Sequence, residues 1–499
     1  MKKIITTALI AVLTATCFVS CGKKEKSVSV DGETSEVSMA VMPNIERPIN
    51  NDLEVVQAWE KATDTKIKFV TPGNYDVLLA SEDVPDIFKH STRDGFIRYK
   101  DILTPLDDLL DTKYGQNAKK YYDENPKVKD IATIDGEIRF LTYDSGIIDS
   151  NGTFSIRKDW LDKLGLKVPE TTDEWYETLK AFKTLGDDII PFSVRNKRYG
   201  LQGFMEAFGV SEGASGAKYK GYYIDPDTKE LVYGPTNPKM KEALTYLNKL
   251  YTEGLIDKQY LVTDVTKWQN NISTGRAGST NDYATRIEYL NSLVKDQSDA
   301  EFVLALPIKD KEGKRWIGKQ SSSCVGSGLG IYRGSKVKEA ALKLIDYLYT
   351  EEGSKLVNLG IEGEHYNIVD GKIELTEKLT NISNGKSVQQ NAWNYGIATF
   401  VPYKPIESAK YVMYSPLVID YFNIFEESGI VSDPIPMIDV PEDKLEIITE
   451  KFPDISTYCD ECLDKFIMGT LPLDQFDKFV KDVEKMGIKE ITEILNSAK

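Results

Sequence analysis

The chain has 499 residues, 41% of them hydrophobic, with 62 basic against 78 acidic side chains and a net charge of −16. That length and apolar content can bury the cores of two ordinary domains, and the acidic balance excludes a nucleic-acid or anionic-lipid surface, since both require clustered basic charge. With 27 tyrosines and six tryptophans there is ample stacking surface, a balance that favours a neutral polar ligand over a polyanion.

Met1-Lys2-Lys3 is basic, and Ile4 to Val19 is apolar apart from four threonines. This is the layout of a secretory signal, and it falls short of the roughly 20 apolar residues of a spanning helix. Val19-Ser20-Cys21 resembles the lipobox of bacterial lipoproteins, which implies a diacylglycerol thioether on Cys21, although Phe18 stands where leucine is usual. Two acyl chains suffice for stable anchoring. Residues 1–20 are therefore expected to be removed, taking the net charge to −18. Residues 21–37, charged, Ser-rich and without aromatics, are expected to form a flexible tether.

In chain order, "EVSMAVM" and "TKIKFV" read as strands, and "DLEVVQAWEKATD" between them sets Leu53, Val56, Trp59 and Ala62 on one helical face. "DVPDIFKH" adds a third strand, giving the βαβ alternation of a parallel sheet covered by helices. After "GEIRFLTY" the chain becomes helix-rich. Trp160, Leu161 and Leu164 share a face, Gly165 stops their helix, and Thr171 to Glu174 form a capping box for the next. Asn237 and Pro238 open a helix that ends at Gly254. A strand in "AEFVLALPI", a hairpin-like "KDKEGKRW" and a glycine-rich strand region follow. The helix from Ser335 to Tyr349 carries Val337, Ala341, Leu344, Ile345 and Leu348 as one stripe. No fixed period recurs, which excludes solenoids and propellers.

Cys459 and Cys462 form C-x-x-C. Zinc would need two more ligands, and the chain's two histidines, His90 and His365, are distant in sequence. A redox pair belongs at a helix start, whereas "DISTYCDECLDKFIMG" reads as a helix interior. The two are expected to be small buried residues one turn apart, as thiols or as a disulfide.

The segments "VPDIFKH", "IRKDWLDKLGLKVPETTDEWYETLKAFK", "LYTEGLID", "LIDYLYTEEGSKLVNLGIEGEHY" and "FIMGTLPLDQFDKFVKDVEKMGI", in this order, resemble lipoprotein members of extracellular solute-binding protein family 1. These are the capture subunits of bacterial ABC importers for oligosaccharides and related solutes. The resemblance implies an α/β fold, a two-lobe periplasmic-binding-protein-like (type II) clamshell with hinge crossings and a helical C-terminus. The expected division is 38–142 plus about 308–350 for the N-terminal lobe, 143–307 plus about 351–460 for the C-terminal lobe, and 461–499 for the C-terminal helices. It further implies an ABC permease as partner and a monomeric, lipid-anchored protein on the outer face of the cytoplasmic membrane. Some relatives carry a calcium-like loop where this chain has only "TLGDD" with Asp187 and Asp188. The alternating oxygen ligands are missing, and neither metal nor cofactor is expected.

A sugar presents hydroxyls at its edge and C–H patches on its faces, and is met by planar polar groups and aromatic rings. In open α/β sheets these belong in loops at the carboxyl ends of strands. That rule selects Asn44 and Glu46 after the first strand, and Tyr143 and Asp144 at the first crossing. It also selects Tyr199 and Gln202, then Asp282 and Tyr283 in "GRAGSTNDYATRI", and Trp393 as a second ring. His90, Arg93 and Asp94 follow the "VPDIF" strand at positions that similar maltose-type receptors use. "GIEGEHY", with Glu362, Glu364, His365 and Tyr366, reads as a structural turn.

No G-x-S-x-G nucleophile elbow occurs, and "CVGSGLG" lacks the lysine and hydroxyl of a phosphate loop. Glycoside hydrolysis needs only two carboxylates, so an extracellular hydrolase is the alternative, as is a carbohydrate receptor lipoprotein without a transport role. The resemblance favours a non-enzymatic binding protein.

Overall fold

Alternation of apolar and polar residues in "SEVSMA" and "TKIKFV" produces two parallel strands, joined by a helix over Glu54–Thr63. Val55, Val56 and Trp59 of that helix are fully buried against the sheet, and the Trp59 indole Nε1–H donates to the Leu344 carbonyl at 2.9 Å. The computed structural model describes residues 35–42, 47–71, 74–79, 84–145, 151–213, 219–318, 326–382, 387–428, 430, 438 and 440–499. Among these, the two principal sheets contain β1 (Ser35–Ala40), β2 (Thr65–Val70), β3 (Ile87–His90), β4 (Leu141–Thr142), β5 (Asn151–Arg157), β6 (Ile190–Phe192), β7 (Ala277–Tyr283), β8 (Phe302–Ala305) and β9 (Gly328–Ile331).

The first sheet has the order β2-β1-β3-β9-β4, with β1 parallel to β2 and β3, and β9 antiparallel to both of its neighbours. The second has the order β8-β5-β7-β6, with β5 antiparallel to β7 and β8, and β6 parallel to β7. The fold is the type II two-lobe arrangement that the family resemblance implies.

Local signals act where the sequence places them. Gly165 adopts the left-handed conformation at φ 68°, Thr171 and Glu174 form a reciprocal capping box, and the Asn237 side chain accepts from Lys239 N. The predicted 335–349 helix is α-helical over Lys338–Asp346 and tightens to a 3₁₀ turn over Tyr347–Tyr349. The expected tether bound of residue 37 overruns the first strand. Ser35, Glu36 and Val37 pair with Thr65, Lys66 and Ile67, and Val37 is fully buried, so residues 35–37 belong to the sheet.

Three hydrophobic clusters divide the described residues. The first runs from Val37 to Leu141 and resumes from Leu329 to Met413. The second spans Phe154 to Trp316 and resumes from Ile448 to Leu495, and a smaller one joins Trp268, Ile287 and Phe302 to Val418 and Phe422. Two expected boundaries change accordingly. Residues 308–317 pack with the second lobe, because Ile308, Trp316 and Ile317 are buried there. Residues 356–413 pack with the first lobe, because Leu356, Val357, Leu379, Ile397 and Phe400 fill its core.

The C-terminal helices Glu442–Met468, Phe476–Lys485 and Ile488–Ser497 bury Leu463, Phe466, Val483 and Leu495 in the second core. Arg198 ties them on. Its guanidinium binds Glu212 bidentately at 2.7 and 2.8 Å and reaches Asp464 at 2.8 Å. Cys459 and Cys462 are buried free thiols within the long helix. Among the described residues no helix is long and apolar enough to cross a membrane.

Gly278 in β7 is required by packing. A Cβ there would lie 2.5 Å from Phe182 and 2.7 Å from Trp160, both of them rings of the second core. Gly278→Ala is expected to cost about 1–3 kcal/mol by overpacking. A urea midpoint equal to that of the wild type would show that the rings yield freely.

Candidate functional site

Strand polarity defines the site. Gly328 of β9 pairs with His90 of β3 and with Thr142 of β4, so the carboxyl ends of β3 and β4 lie together at one edge of the first sheet. The parallel strands β1 and β2 end there too, with Ala40 beside Val70. From Thr142 the chain crosses over 143–150 to β5, whose first residue, Asn151, lies opposite Tyr283 at the end of β7. Strand β6, parallel to β7, runs out toward Arg195 at this same edge. The carboxyl ends of strands in both sheets thus lie beside the residues at which the chain passes between the lobes, and carboxyl ends are where open α/β sheets place their ligands. A further crossing lies between Met413 of the first core and Val418 of the smaller cluster, where Ser415 N donates to Glu288 at 3.1 Å.

On the first lobe the rim is cationic and aromatic. The Lys89 side chain, near the end of β3, donates to the Thr399 carbonyl at 3.1 Å. Burial, and then the charge of Arg47, push the Lys89 ammonium down to about 8. The exposed Arg47 guanidinium lies 4.0 Å from the ring centre of Trp393, which is 6% exposed. Tyr143 packs on Tyr403 at 4.4 Å, and the Asp144 backbone N–H donates to Tyr121 Oη at 3.1 Å.

On the second lobe, Asp282 is buried at the end of β7 and accepts from Arg195 Nε at 2.7 Å and Nη2 at 2.9 Å. Arg286 stands 3.7 Å from the same carboxylate, and the Tyr283 backbone N–H donates to it at 2.8 Å. Arg195 also lies over the buried Trp268 ring at 5.3 Å. This arrangement fixes a planar guanidinium on the carboxylate that also receives the backbone N–H of the half-buried Tyr283.

Other expected residues have different duties. Asn44 and Glu46 lie outside the described residues. His90 sits at the strand end, but its ring is enclosed by Tyr75 at 4.5 Å, Phe96 at 5.3 Å and Tyr99 at 5.4 Å. Burial, and then Arg98, push its imidazole down to about 4. Arg93 donates to the carbonyls of Ile131 and Thr133 at 3.1 and 3.0 Å, which staples a neighbouring turn, and Asp94 is exposed on the short helix that follows β3. Gln202 is fully buried and donates to Ser211 Oγ and to the Gly213 carbonyl, so these two bonds serve the 211–213 turn. Tyr199 lies beneath Lys220, whose ammonium binds Asp460 of the long C-terminal helix, and burial holds the tyrosine hydroxyl well above its ordinary range. His365 of the "GIEGEHY" turn accepts from Ile361 N at 3.0 Å and faces Glu54 at 3.2 Å within the first lobe.

Residues 48–355 match the family of bacterial extracellular solute-binding proteins. The chain belongs to that family. It is similar to the lipoprotein LipO of Bacillus subtilis (strain 168), at 25% identity over 511 residues covering 97% of this chain and 96% of that one. It is also similar to the polygalacturonan/rhamnogalacturonan-binding protein YtcQ of the same organism, at 27% identity over 480 residues covering 91% and 89%. The crystal structure of alginate-binding protein AlgQ2 without calcium ion shares its fold, with a TM-score of 0.78 and 21% identity across 94% of this chain and 98% of that one.

Sequence reading of this solute-binding protein missed Arg47, Lys89 and Arg195. Arg195 follows β6 by three residues, so the strand-end rule could have found it. Lys89 lies inside a strand and is brought to the rim only by the Thr399 segment, 310 residues away, and no local signal marks it.

Two outcomes are expected. The folded-state pKa of Lys89 lies below its ordinary 10.5, so its burial penalty is complete at pH 7 and fades as pH rises through about 8 toward 10.5. Lys89→Met should stabilise the unliganded protein by about 1–3 kcal/mol at pH 7, and an unchanged or lower urea midpoint would contradict the assignment. His90, held below its ordinary 6.5, should stay neutral at pH 5.5 in an NMR titration of the folded protein, and its contribution to acid destabilisation should begin as pH falls below about 6.5, where the unfolded chain takes up the proton, and be complete near 4.

Proposed function

We propose that this solute-binding protein is an exported lipoprotein, anchored through Cys21, that captures an oligosaccharide between its lobes and delivers it to an ABC permease. One observation carries the reading: two separately packed cores each bring the carboxyl ends of their strands to the point where the chain passes from one to the other, and ring and guanidinium groups gather at both. Trp393 with Arg47 and Tyr143 with Tyr403 line one side, and Tyr283 beside the Arg195–Asp282 pair lines the other. A solute that touches both walls stabilises the closed form over the open one, and only such differential contact can drive closure.

The relatives support the sugar class. YtcQ is a polygalacturonan/rhamnogalacturonan-binding protein and AlgQ2 an alginate-binding protein. The family's members bind solutes without transforming them, so oligosaccharides incubated with this protein should be recovered intact. The lipid anchor is supported by the Val19-Ser20-Cys21 pattern and by the likeness to LipO. Cys21 itself lies outside the described residues.

Tyr283→Ala is the direct test. Loss of one stacking ring should weaken an oligosaccharide found by thermal-shift screening about three- to tenfold, and the unliganded melting point should hardly move, because the ring lies at the rim and outside all three cores. Unchanged affinity would remove Tyr283 from the site.

A further inference from the structure

The strand from which the chain leaves the first lobe, β4, is only two residues long and stands at the end of its sheet. It pairs with β9 on one side and, among the described residues, with no strand on the other. Alternate residues of an extended chain turn their N–H and C=O groups to the same edge, and a free edge of this kind needs partners from elsewhere. Here three tyrosine hydroxyls supply them. Tyr122 Oη accepts from Thr142 N at 2.8 Å and donates to the Phe140 carbonyl at 3.3 Å. Tyr349 Oη donates to the Thr142 carbonyl at 2.7 Å, and Tyr121 Oη accepts from Asp144 N at 3.1 Å. All three tyrosines are buried. They come from two elements that are themselves tied together: the helix Gln116–Glu124 and the 3₁₀ turn Tyr347–Tyr349. The Asp346 carboxylate, just before that turn, accepts from Ala118 N at 2.8 Å and Asn117 Nδ2 at 2.7 Å, and the Tyr121 and Tyr349 ring centres lie 5.2 Å apart.

We infer that Tyr121, Tyr122 and Tyr349 are positioning residues for solute capture, and that they act by fixing Tyr143. This rests on the capture reading above, which gives the Tyr143 ring to the first lobe's wall, and deepens it by naming what sets that ring. Tyr143 stands between the two residues that the hydroxyls hold: Thr142, whose N–H and C=O are both taken, and Asp144, whose N–H is taken. Because each peptide unit is planar, holding the units on both sides of Tyr143 leaves its Cα–Cβ direction little freedom. The ring then packs on Tyr403 at 4.4 Å. A ring ordered in this way loses its freedom on folding and not on binding, which favours affinity. Hydroxyls that served only to satisfy the strand edge would set the melting point, and their loss would act on every contact with the solute alike.

The test is a pair of double-mutant cycles on the full mature chain, read by calorimetry well below the melting point. The probes are trigalacturonate and maltotriose, one acidic and one neutral trisaccharide, and whichever binds the wild type is carried through. Tyr143→Ala should weaken binding about three- to tenfold. Tyr349→Phe and Tyr121→Phe, which each remove one hydroxyl and keep the ring, should each weaken it about threefold or more. In the Tyr143→Ala background the same two substitutions should change affinity by less than about 1.5-fold, because the ring they position is gone. Combined with Tyr283→Ala, on the other lobe, their losses should multiply in full, as expected of independent sites. Tyr121→Phe carries the cycle alone if Tyr349→Phe does not fold. Unchanged affinity on removal of the hydroxyls would overturn the inference and leave oligosaccharide capture standing. So would an equal loss with and without the Tyr143 ring, or an unchanged affinity in Tyr143→Ala. If neither probe binds the wild type and a wider oligosaccharide screen is also silent, the inference and the capture reading fall together.

Discussion

The pairing of β9 between β3 and β4 is the constraint on which the rest depends. After Thr142 the chain enters the second lobe's sheet, and the strand that brings it back begins at Gly328, which pairs with His90 on one side and Thr142 on the other. There is no room at that point for a side chain: a Cβ on Gly328 would lie 2.0 Å from the Leu141 carbonyl. Because the returning strand is antiparallel to both neighbours, β3 and β4 run the same way and their carboxyl ends lie together, beside the point where the chain leaves for the second lobe.

With the walls placed, their chemistry follows from how each charge is held. Asp282 is buried and serves two guanidiniums and a backbone N–H, so it positions donors and keeps none of its own binding capacity in reserve. Among the described residues the Lys89 ammonium is held by the Thr399 carbonyl alone, and its burial is a cost in stability. The Arg195–Asp282 pair of the second lobe, by contrast, is compensated within itself.

Much of the fold was legible because its signals are local. Gly165, the Thr171–Glu174 box and the Asn237-Pro238 pair each act within a few residues of themselves, so a linear reading locates them. The site was legible only in part. The strand-end rule selects Tyr283 at the end of β7 and Tyr143 just after β4, but it cannot say which way a side chain turns. Gln202 stands near a strand end and yet points into a buried turn, because Ser211 and Gly213 supply its partners. Arg93 is consumed by carbonyls about 40 residues away, a distance at which sequence carries no pattern.

By itself, the sequence determined the βαβ start, the principal helix signals and the family, all of which rest on composition, periodicity or contiguous motifs. Tertiary structure decided that residues 356–413 return to the first core, that 35–37 join its sheet and that Lys89 reaches the Thr399 carbonyl. The physical reason is common to all three. Each depends on which faces find one another, and those are properties of contacts between segments from about 30 to about 300 residues apart.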